Sequence, residues 1–378
     1  MAICCFKIYF FCFKFLIMLV FHIITHFDVG GAERVAVNIA KSSIQNIEYH
    51  LVEVVRGSGE FSSLFVNDLK KNGIIYHRSY LKNNKLGIIF FPFWFILLVL
   101  KWKPNVIHSH TEIPDLALYI WHCIFGWLFP KIRYVRTIHN TELWNKWKSV
   151  GTKVERFFQK KHANVSISKS TQQYYQKEYG EKPTIIYNGL QEVNQIPFQY
   201  LIKGKINILF AGRLEYQKGI DELIKVVLAL KDNLNFHFHI IGDGSMKEKL
   251  HAELKGLSSV SLYEKVYGLN QYIGSFDYLF MPSNHEGLAL MPIEASLAHT
   301  PSIINSCPGL KDTLPEDWPL KVEKNCIDDF IKIILALENT CNYQTYSNLA
   351  YSYAKENFSI HKMQLEYENI YFESQNIK

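Results

Sequence analysis

The 378-residue sequence predicts an α/β protein of two Rossmann-like domains that face each other across a cleft. Three observations support this fold class. Short apolar runs alternate with stretches of helical length, which is typical of parallel sheets with right-handed crossovers. The alternation weakens near residues 195–205 and then starts again, and each half has the size of one domain. Glycine and polar residues follow most of the apolar runs, where open α/β sheets bind ligands.

Composition excludes several classes of protein. Hydrophobic residues make up 48% of the chain and charged residues 20%, so the chain is not intrinsically disordered. The 20 glycines and 12 prolines are ordinary numbers, which excludes a collagen-like or low-complexity chain. The seven cysteines form no CxxC pair and no cysteine–histidine pattern with zinc spacing, so we expect reduced thiols.

The chain begins with an apolar extension, residues 1–17. It lacks the small-residue cleavage site of a signal peptide, so we interpret it as a membrane anchor or as an artefact of start-codon choice. Met18 opens a cleaner beginning, because the apolar run Leu19–Thr25 is typical of a buried first strand. We expect a first domain over residues 18–195 and a second over residues 196–360. Residues 361–378 are expected to form a C-terminal helix that packs back on the first domain.

The remaining elements follow from the same alternation. After the first strand, a glycine turn leads into the expected helix Ala32–Lys41. Further strands of the first half are expected at Tyr49–Val55, Pro104–His110, Tyr134–His139, Ala163–Ser168 and Thr184–Asn188. The second half is expected to contain the strand Ile206–Gly212, the helix Asp221–Lys231, the strand Phe236–Gly242, the helix Met246–Leu257, the strand Tyr278–Pro282, the helix Pro292–Ala298 and the strand Pro301–Asn305.

A second apolar stretch, Leu86–Leu100, contains no charged residue. As a helix it would be about 22 Å long, shorter than a hydrocarbon core of ~30 Å, and Pro92 interrupts it. We therefore interpret it as a buried or an interfacial helix and not as a membrane span. Lys101, Trp102 and Lys103 follow at once, and such a basic and aromatic edge suits a lipid headgroup region.

Positive charge is concentrated in the first half. Residues 131–182 carry 12 Lys/Arg and four Asp/Glu, a local net charge of +8 against +6 for the whole chain. Such a segment is either a solvated helical face or a surface that attracts anions. The sequence contains no recognisable nucleic-acid-binding motif, so a lipid surface or a phosphate-bearing substrate is the preferred partner.

Two features at strand ends of the first half suit a polar ligand. Gly30 and Gly31 let the backbone approach a ligand and direct free N–H groups at it. The pattern is not GxGxxG, so nicotinamide dinucleotide binding loses support. His110 and His139 each close an apolar strand. One such histidine is usually a hydrogen-bonded structural residue, but two at neighbouring strand ends indicate a cleft that handles hydroxyls or phosphates.

Arg213 and Lys218 form a basic pair in the second half. Arg213 follows a strand, and Lys218 precedes a helix N-terminus. A planar guanidinium and a compact ammonium both suit a diphosphate, and the helix dipole adds to the attraction. The alternative is a pair of solvated loop cations.

Glu286 and Glu294 are separated by seven residues that lead from a strand into a helix. Proline is tolerated at a helix start, so the helix is expected to begin close to Pro292. Glu286 would then lie in the loop at the cleft mouth and Glu294 on the first or second helical turn. The N–H groups of residues 287–290 are expected to point toward the cleft and hold phosphate, while the carboxylates accept hydrogen bonds from sugar hydroxyls.

Together these segments resemble the family 4 (group 1) retaining glycosyltransferases of the GT-B fold. The resemblance covers nearly the whole chain from Met18 and is carried by DVGGAE, KPNVIHSH, TIHN, AGRLEYQKG, IIGDGSMKEKL and EGLALMPIEA. It implies transfer of a sugar from a nucleotide diphosphate sugar with retention of anomeric configuration, without a cofactor and without a metal. The stretch after Val260 lacks the glycine that is usual in the family at the nucleobase, so UDP-sugar and GDP-sugar donors stay open.

The resemblance also implies roles for individual residues. His139 would lie beside the transferred sugar, Arg213 and Lys218 would hold the diphosphate, and Glu286 would contact donor sugar hydroxyls. These four are the expected catalytic residues. The expected donor-binding residues, with Glu294 on the ribose, are Gly31, Gly242, Gly287, Leu288, Ala289, Leu290 and Glu294. The candidates on the acceptor side are Gly30, His110 and Asn140.

Two other functions compete with the transferase. A sugar-nucleotide epimerase on the same fold would consume the nucleotide sugar without an acceptor, and the AGRLEYQKG segment argues against it. A non-catalytic nucleotide-sugar-binding protein would bind without turnover, and the intact set of motifs argues against it. The apolar, basic first half favours a lipid-linked acceptor and a peripheral position at the inner face of the cytoplasmic membrane, as in capsule or lipopolysaccharide synthesis.

Overall fold

The structure, a computed structural model, describes residues 17–28, 30–42, 46–144, 147–339 and 341–373. The expected N-terminal extension therefore lies outside the described residues, apart from Ile17. Two parallel sheets, each flanked by helices, confirm the predicted α/β fold class with two Rossmann-like domains.

The first sheet is built from the first half of the chain. Its strands are β1 (Met18–Ile24), β2 (Ile47–Glu53), β3 (Ile75–His77), β4 (Val106–His110), β5 (Arg133–Ile138), β6 (Asn164–Ser166) and β7 (Thr184–Ile185). They pair in parallel in the order β3-β2-β1-β4-β5-β6-β7. The helices of this half are α1 (Gly31–Ala40), α2 (Glu60–Lys71), α3 (Asn84–Trp102), α4 (Glu112–Phe125), α5 (Lys148–Lys160) and α6 (Lys169–Tyr179). Every residue of β1 and β4 is buried, as expected for a sheet covered by helices on both faces.

The second sheet repeats this topology. Its strands are β8 (Ile206–Arg213), β9 (Phe236–Asp243), β10 (Val260–Tyr263), β11 (Tyr278–Met281), β12 (Ser302–Asn305) and β13 (Lys321–Val322). They pair in parallel in the order β10-β9-β8-β11-β12-β13. The helices that follow are α7 (Ile220–Ala229), α8 (Lys247–Leu254), α9 (Leu290–Leu297), α10 (Ile327–Ala336), α11 (Tyr343–Asn357) and α12 (Ile360–Glu373).

Helix α12 follows the second sheet in the chain but packs on the first. Tyr367 and Tyr371 are fully buried in the core of the first domain. The Tyr371 hydroxyl lies 2.7 Å from Nδ1 of His108, and Ser42 Oγ donates a 2.7 Å hydrogen bond to Glu368. The C-terminal helix thereby links the two halves of the molecule.

The apolar helix α3 is longer than the sequence pattern indicates. It runs for 19 residues and passes through Pro92, so the prediction that Pro92 interrupts the stretch is wrong. The buried rings of Phe91 and Phe95 flank Pro92 and pack in the core, and this packing compensates for the helix hydrogen bond that proline cannot make. Within the described residues, α3 is the helix that is long and apolar enough to cross a membrane. Of its most apolar 18-residue stretch, 33% is buried in the protein.

Each strand order reverses direction at one point. In the first sheet this point lies between β1 and β4, and in the second sheet between β8 and β11. In open α/β sheets the crevice at the carboxyl end of this switch point is where ligands bind. The residues that follow β1, β4, β8 and β11 are therefore the ones to inspect for a functional site.

Candidate functional site

The two switch points face each other, and contacts across the cleft bring α1 and α6 against the start of α9. Ser168 Oγ donates a 2.7 Å hydrogen bond to the carbonyl of Gly287. Leu290 approaches to 3.9 Å of the position that a Cβ on Gly31 would occupy. Gly31, Gly287 and Leu290 of the predicted site therefore lie where the two domains meet.

Lys218 and Glu286 form an ion pair at the end of the second sheet. Lys218 Nζ donates to Glu286 Oε1 over 2.6 Å, although the residues are 68 positions apart in the chain. Lys218 ends a short 3-10 helix after β8, and Glu286 lies in the loop after β11. Their side chains are 16% and 7% exposed, so the charges are largely shielded from water. Such a pair places a fixed cation and a hydrogen-bond acceptor side by side.

Arg213 lies at the last position of β8 and is exposed. Its Nη2 donates to Oε1 of Gln217 over 3.0 Å, and Nε2 of Gln217 donates to the carbonyl of His285 over 3.1 Å. Gln217 thereby connects the guanidinium to the loop that carries Glu286. Sequence reasoning missed Gln217, although it stands next to Lys218.

The loop that carries Gly287 is held from both sides. A Cβ on Gly287 would lie 1.9 Å from the carbonyl oxygen of His139, so only glycine fits between the two domains here. Gly309 has a φ of +76°, and a Cβ there would lie 2.2 Å from the carbonyl oxygen of Glu286. The Glu286 N–H donates to the carbonyl of Pro308 over 3.1 Å. The turn after β12 therefore packs against this loop and accepts a hydrogen bond from it.

One part of the predicted phosphate cradle needs correction. The N–H of Ala289 was expected to point into the cleft, but it donates to the carbonyl of Gly309 over 3.4 Å. Leu288 and Ala289 are also buried, so their side chains serve packing. Helix α9 begins at Leu290, two residues before Pro292. Pro292 is tolerated in this first turn because the first N–H groups of a helix have no partner within the helix, so the N–H that proline lacks is not needed. The cradle therefore narrows to the backbone around Gly287 and the start of α9.

Glu294 lies on α9 and pairs with a residue of the other domain. Arg34 Nη2 on α1 lies 2.5 Å from Glu294 Oε1. The Glu294 side chain is only 6% exposed, and its burial raises the pKa of this carboxyl while Arg34 opposes the rise. Arg34 was missed in the sequence, although it stands three residues after the glycine turn. The pair joins the two domains at the cleft.

The glycine turn after β1 approaches Glu33. A Cβ on Gly30 would lie 2.1 Å from Oε2 of Glu33, so the carboxyl folds back over the turn. Burial raises the pKa of Glu33 to about 7, with a further contribution from Asp28. Gly242 makes a comparable close approach in the second domain, since a Cβ there would lie 2.0 Å from the carbonyl oxygen of Gly212. Gly242 therefore lets the ends of β8 and β9 pack together beside Arg213.

The histidines of the first domain lie at different depths. His139 is partly exposed at the cleft, and Asn140 beside it is exposed. His110 is fully buried and reaches the cleft only through His139, whose Nε2 lies 3.2 Å from its Nδ1. Any influence of His110 on a ligand must therefore pass through His139. Burial lowers the pKa of His139 to about 3, so the ring is neutral near pH 7.

Comparison with known proteins identifies the class that this fold and cleft define. The family model described as Glycosyltransferase Family 4 matches residues 29–192, and the model described as Glycosyl transferases group 1 matches residues 205–339. The two matches adjoin and together span both domains. The chain belongs to the family 4, group 1 glycosyltransferases, which have the GT-B fold.

Individual relatives include enzymes named for glycan synthesis. A Campylobacter jejuni α-1,4-N-acetyl-D-galactosaminyltransferase, named for an undecaprenol-linked glycan, is 23% identical over 88% of this chain and 92% of its own. The capsular polysaccharide biosynthesis glycosyltransferase CapH of Staphylococcus aureus is 26% identical over 73% of this chain and 78% of its own. Among solved structures, Anabaena Alr3699/HepE in complex with UDP-glucose has a TM-score of 0.78 at 15% identity, covering 93% of this chain and 99% of its own.

Proposed function

We propose that this glycosyltransferase moves a sugar from a nucleotide diphosphate sugar to a lipid-linked glycan acceptor, with retention of configuration, in the synthesis of a cell-surface polysaccharide. The names of the Campylobacter and Staphylococcus relatives support the acceptor class and the pathway. The complex of Alr3699/HepE with UDP-glucose supports a nucleotide diphosphate sugar as donor. We propose no cofactor and no metal requirement, because the diphosphate would meet cationic side chains of the chain itself.

The observation that carries the proposal is the ion pair of Lys218 with Glu286, located opposite His139 at the facing switch points. Departure of a nucleoside diphosphate builds negative charge, and fixed cations in a shielded site stabilise it. In the proposed arrangement Lys218 and Arg213 contact the diphosphate. Glu286 accepts hydrogen bonds from donor sugar hydroxyls. Glu294 binds the ribose after the Arg34 side chain has moved away from it.

The remaining residues shape the donor site and the acceptor side. Gly31 lets the backbone come close to the phosphates, Gly287 lets the two domains approach each other, and the start of α9 supplies N–H groups and its dipole. Gly242 keeps the ends of β8 and β9 compact next to the nucleotide. Gly30 and Asn140 lie on the first-domain side of the cleft, where the acceptor would enter. A same-face substitution, in which the leaving phosphate helps to deprotonate the acceptor hydroxyl, fits this set of residues.

A panel of UDP-sugars and GDP-sugars, offered with and without a lipid-linked acceptor extract, tests the proposal. We expect one donor to release its nucleoside diphosphate only when the acceptor is present, with a sugar mass added to the acceptor. Analysis of the product's anomeric configuration tests retention. Conversion of the donor without an acceptor would indicate an epimerase, and binding without turnover would indicate a binding protein. Either result would overturn the proposal.

We further propose that the protein associates with the inner face of the cytoplasmic membrane through α3. One face of this helix is open to solvent, and its exposed apolar side chains are Leu86, Ile89, Phe90, Phe93, Leu97 and Leu100. Trp127, which is 73% exposed, follows α4, the helix that packs beside α3. Lys101, Lys103 and Lys131 lie near the same edge. An apolar face with a basic and aromatic edge binds anionic bilayers peripherally, and would bring the site to a lipid-linked acceptor.

A further inference from the structure

Three histidines form a hydrogen-bonded row that leads from the core of the first domain to the cleft. Nδ1 of His22 lies 2.9 Å from Nε2 of His110, and Nδ1 of His110 lies 3.2 Å from Nε2 of His139. The three residues lie on β1, at the end of β4 and directly after β5, which are adjacent strands. The side-by-side order of these strands at the switch point is what aligns the rings.

Each ring in the row is neutral near pH 7. Burial lowers the pKa of His22 and of His139 to about 3, and it lowers the pKa of His110 well below its usual value. Arg136 opposes protonation of His139 as well. A neutral imidazole carries one N–H and one lone pair. The two hydrogen bonds of the row must therefore point in the same direction, either toward His139 or toward His22.

The inner end of the row decides this direction. Nε2 of His22 is buried and has no hydrogen-bond partner among the described residues. If the bonds pointed toward His22, this nitrogen would carry an unpaired buried N–H, which folded proteins strongly avoid. If they point toward His139, the same nitrogen carries only an unused lone pair. The row then has one polarity, in which His22 donates to His110 and His110 donates to His139.

A metal site is the competing reading of the same cluster. Ligand nitrogens of His22, His108 and His110 lie within 4.8 Å of one another. Both nitrogens of His108 are engaged, however, at 2.7 Å with the Tyr371 hydroxyl and at 2.7 Å with Thr137 Oγ1. Both nitrogens of His110 are engaged within the row. A metal ion would have to break these bonds, so the hydrogen-bonded row is the better account.

We propose that His22 and His110 are positioning residues that hold His139 in one tautomer, with Nε2 as acceptor and Nδ1–H as donor. His139 is partly exposed at the cleft, and its carbonyl faces Gly287. Among the hydrogen bonds of the described residues, its ring takes part in one, through Nε2 to His110. Resting on the proposed function, the inference is that His139 donates this N–H to an oxygen of the donor sugar or its phosphate. His139 thereby acts as a fixed hydrogen-bond donor and not as a general base.

The tautomer itself is measured by long-range proton–nitrogen NMR of protein labelled with ¹⁵N-histidine, near pH 7.5 and without substrate. The His139 ring, assigned with H139Q, is expected to carry its proton on Nδ1. A proton on Nε2 would overturn the proposal, as would bound zinc in the purified protein. This measurement needs no enzymatic activity, so it distinguishes a wrong assignment of the His139 tautomer from a wrong proposed function.

Substitution of His110 tests whether this residue sets the tautomer of His139. H110L removes the donor to His139, so we expect a mixed tautomer at His139 and turnover lowered about 10-fold or more, with the donor KM changed less. H110N keeps an amide N–H near the position of Nδ1 and is expected to restore both. H239L, which removes a buried histidine from β9 in the other domain, is the control and should leave the His139 tautomer unchanged.

Combination with H139A gives the decisive kinetic comparison. If His110 acts through His139, H110L should cause little further loss in an H139A background. Losses that multiply would show that the two residues act independently and would overturn the proposal. If H110L fails to fold, H110N and the tautomer of the unmodified protein still decide the matter.

Discussion

Gly287 sets how closely the two domains approach at the cleft. Its missing side chain leaves room for the carbonyl of His139, and its own carbonyl accepts hydrogen bonds from Ser168 and Thr171. One residue therefore fixes the distance between the expected diphosphate site and His139. The sequence shows a glycine between two carboxylates, but only the fold shows what lies against it.

G287A is expected to push the domains apart at this point. A Cβ 1.9 Å from a carbonyl oxygen must displace the backbone, at a cost of about 1–3 kcal/mol in the free energy of unfolding. Turnover should fall by about 100-fold, because the displacement separates the groups that flank the donor. Urea unfolding and initial rates measure the two effects.

G73A is the matched control for this variant. Gly73 has a φ of +67° and open space around it, so alanine there causes only backbone strain. It should lower stability by about 1–2 kcal/mol without changing turnover. Wild-type turnover in G287A would show that the close approach to His139 is irrelevant to the site.

Helix α3 shows where sequence patterns stop being informative. The apolar run predicts a buried or an interfacial helix; one face of the helix is buried, and the other is exposed to solvent. Hydropathy could not separate the faces, because nearly every position is apolar. Pro92 looked like a break, yet packing of Phe91 and Phe95 holds the helix through it. Tertiary contacts, which a single sequence does not display, decide the outcome.

The exposed face of α3 is expected to bind anionic bilayers. Vesicles of phosphatidylglycerol and phosphatidylethanolamine should co-sediment the wild-type protein at low salt. F93E/L97E should lower this binding by about 10-fold or more, because charges in an apolar interface are costly. L349E, which alters an exposed leucine on α11 in the other domain, should bind like wild type. Equal binding of F93E/L97E and wild type would exclude α3 as the contact.

Across the whole molecule, the two parallel sheets and most of their strands were predictable from the alternation of apolar runs and helical stretches. The side-chain pairings at the site were not. Arg34 with Glu294 joins the two domains, so this pair depends on how the sheets face each other. Lys218 with Glu286 joins two loops at the end of the second sheet that are 68 positions apart in the chain. His110 illustrates the same limit, because a strand-end histidine in the sequence proved to lie behind another histidine.

Buried histidines in both domains make the fold sensitive to acid. Burial lowers the pKa of His22, His139 and His239 to about 3, whereas unfolded histidine has a pKa of about 6.5. Between these values the unfolded state binds more protons, so stability falls as pH drops below about 6.5. Glu33 and Asp115, whose pKa values burial raises to about 7, act in the opposite direction and offset part of the effect.

Urea unfolding at about pH 7.5 and about pH 5.5 measures this dependence, and we expect lower stability at the lower pH. H239L should show a smaller pH effect, since each such histidine contributes up to ~1.4 kcal/mol per pH unit. H251N, which changes an exposed histidine on α8, should keep the wild-type dependence. Stability that does not change between the two pH values would contradict the account of neutral buried histidines.

In the proposed reaction, Arg213 and Lys218 stabilise the departing diphosphate. The most direct measurement is the rate of acceptor-dependent release of nucleoside diphosphate by R213A/K218A, compared with wild type and with K249A. K249A removes an exposed ion pair with Asp221 in the same domain, so it controls for loss of a cation. We expect R213A/K218A to lose at least about 100-fold in turnover and K249A to match wild type. Wild-type turnover by R213A/K218A would contradict the claim.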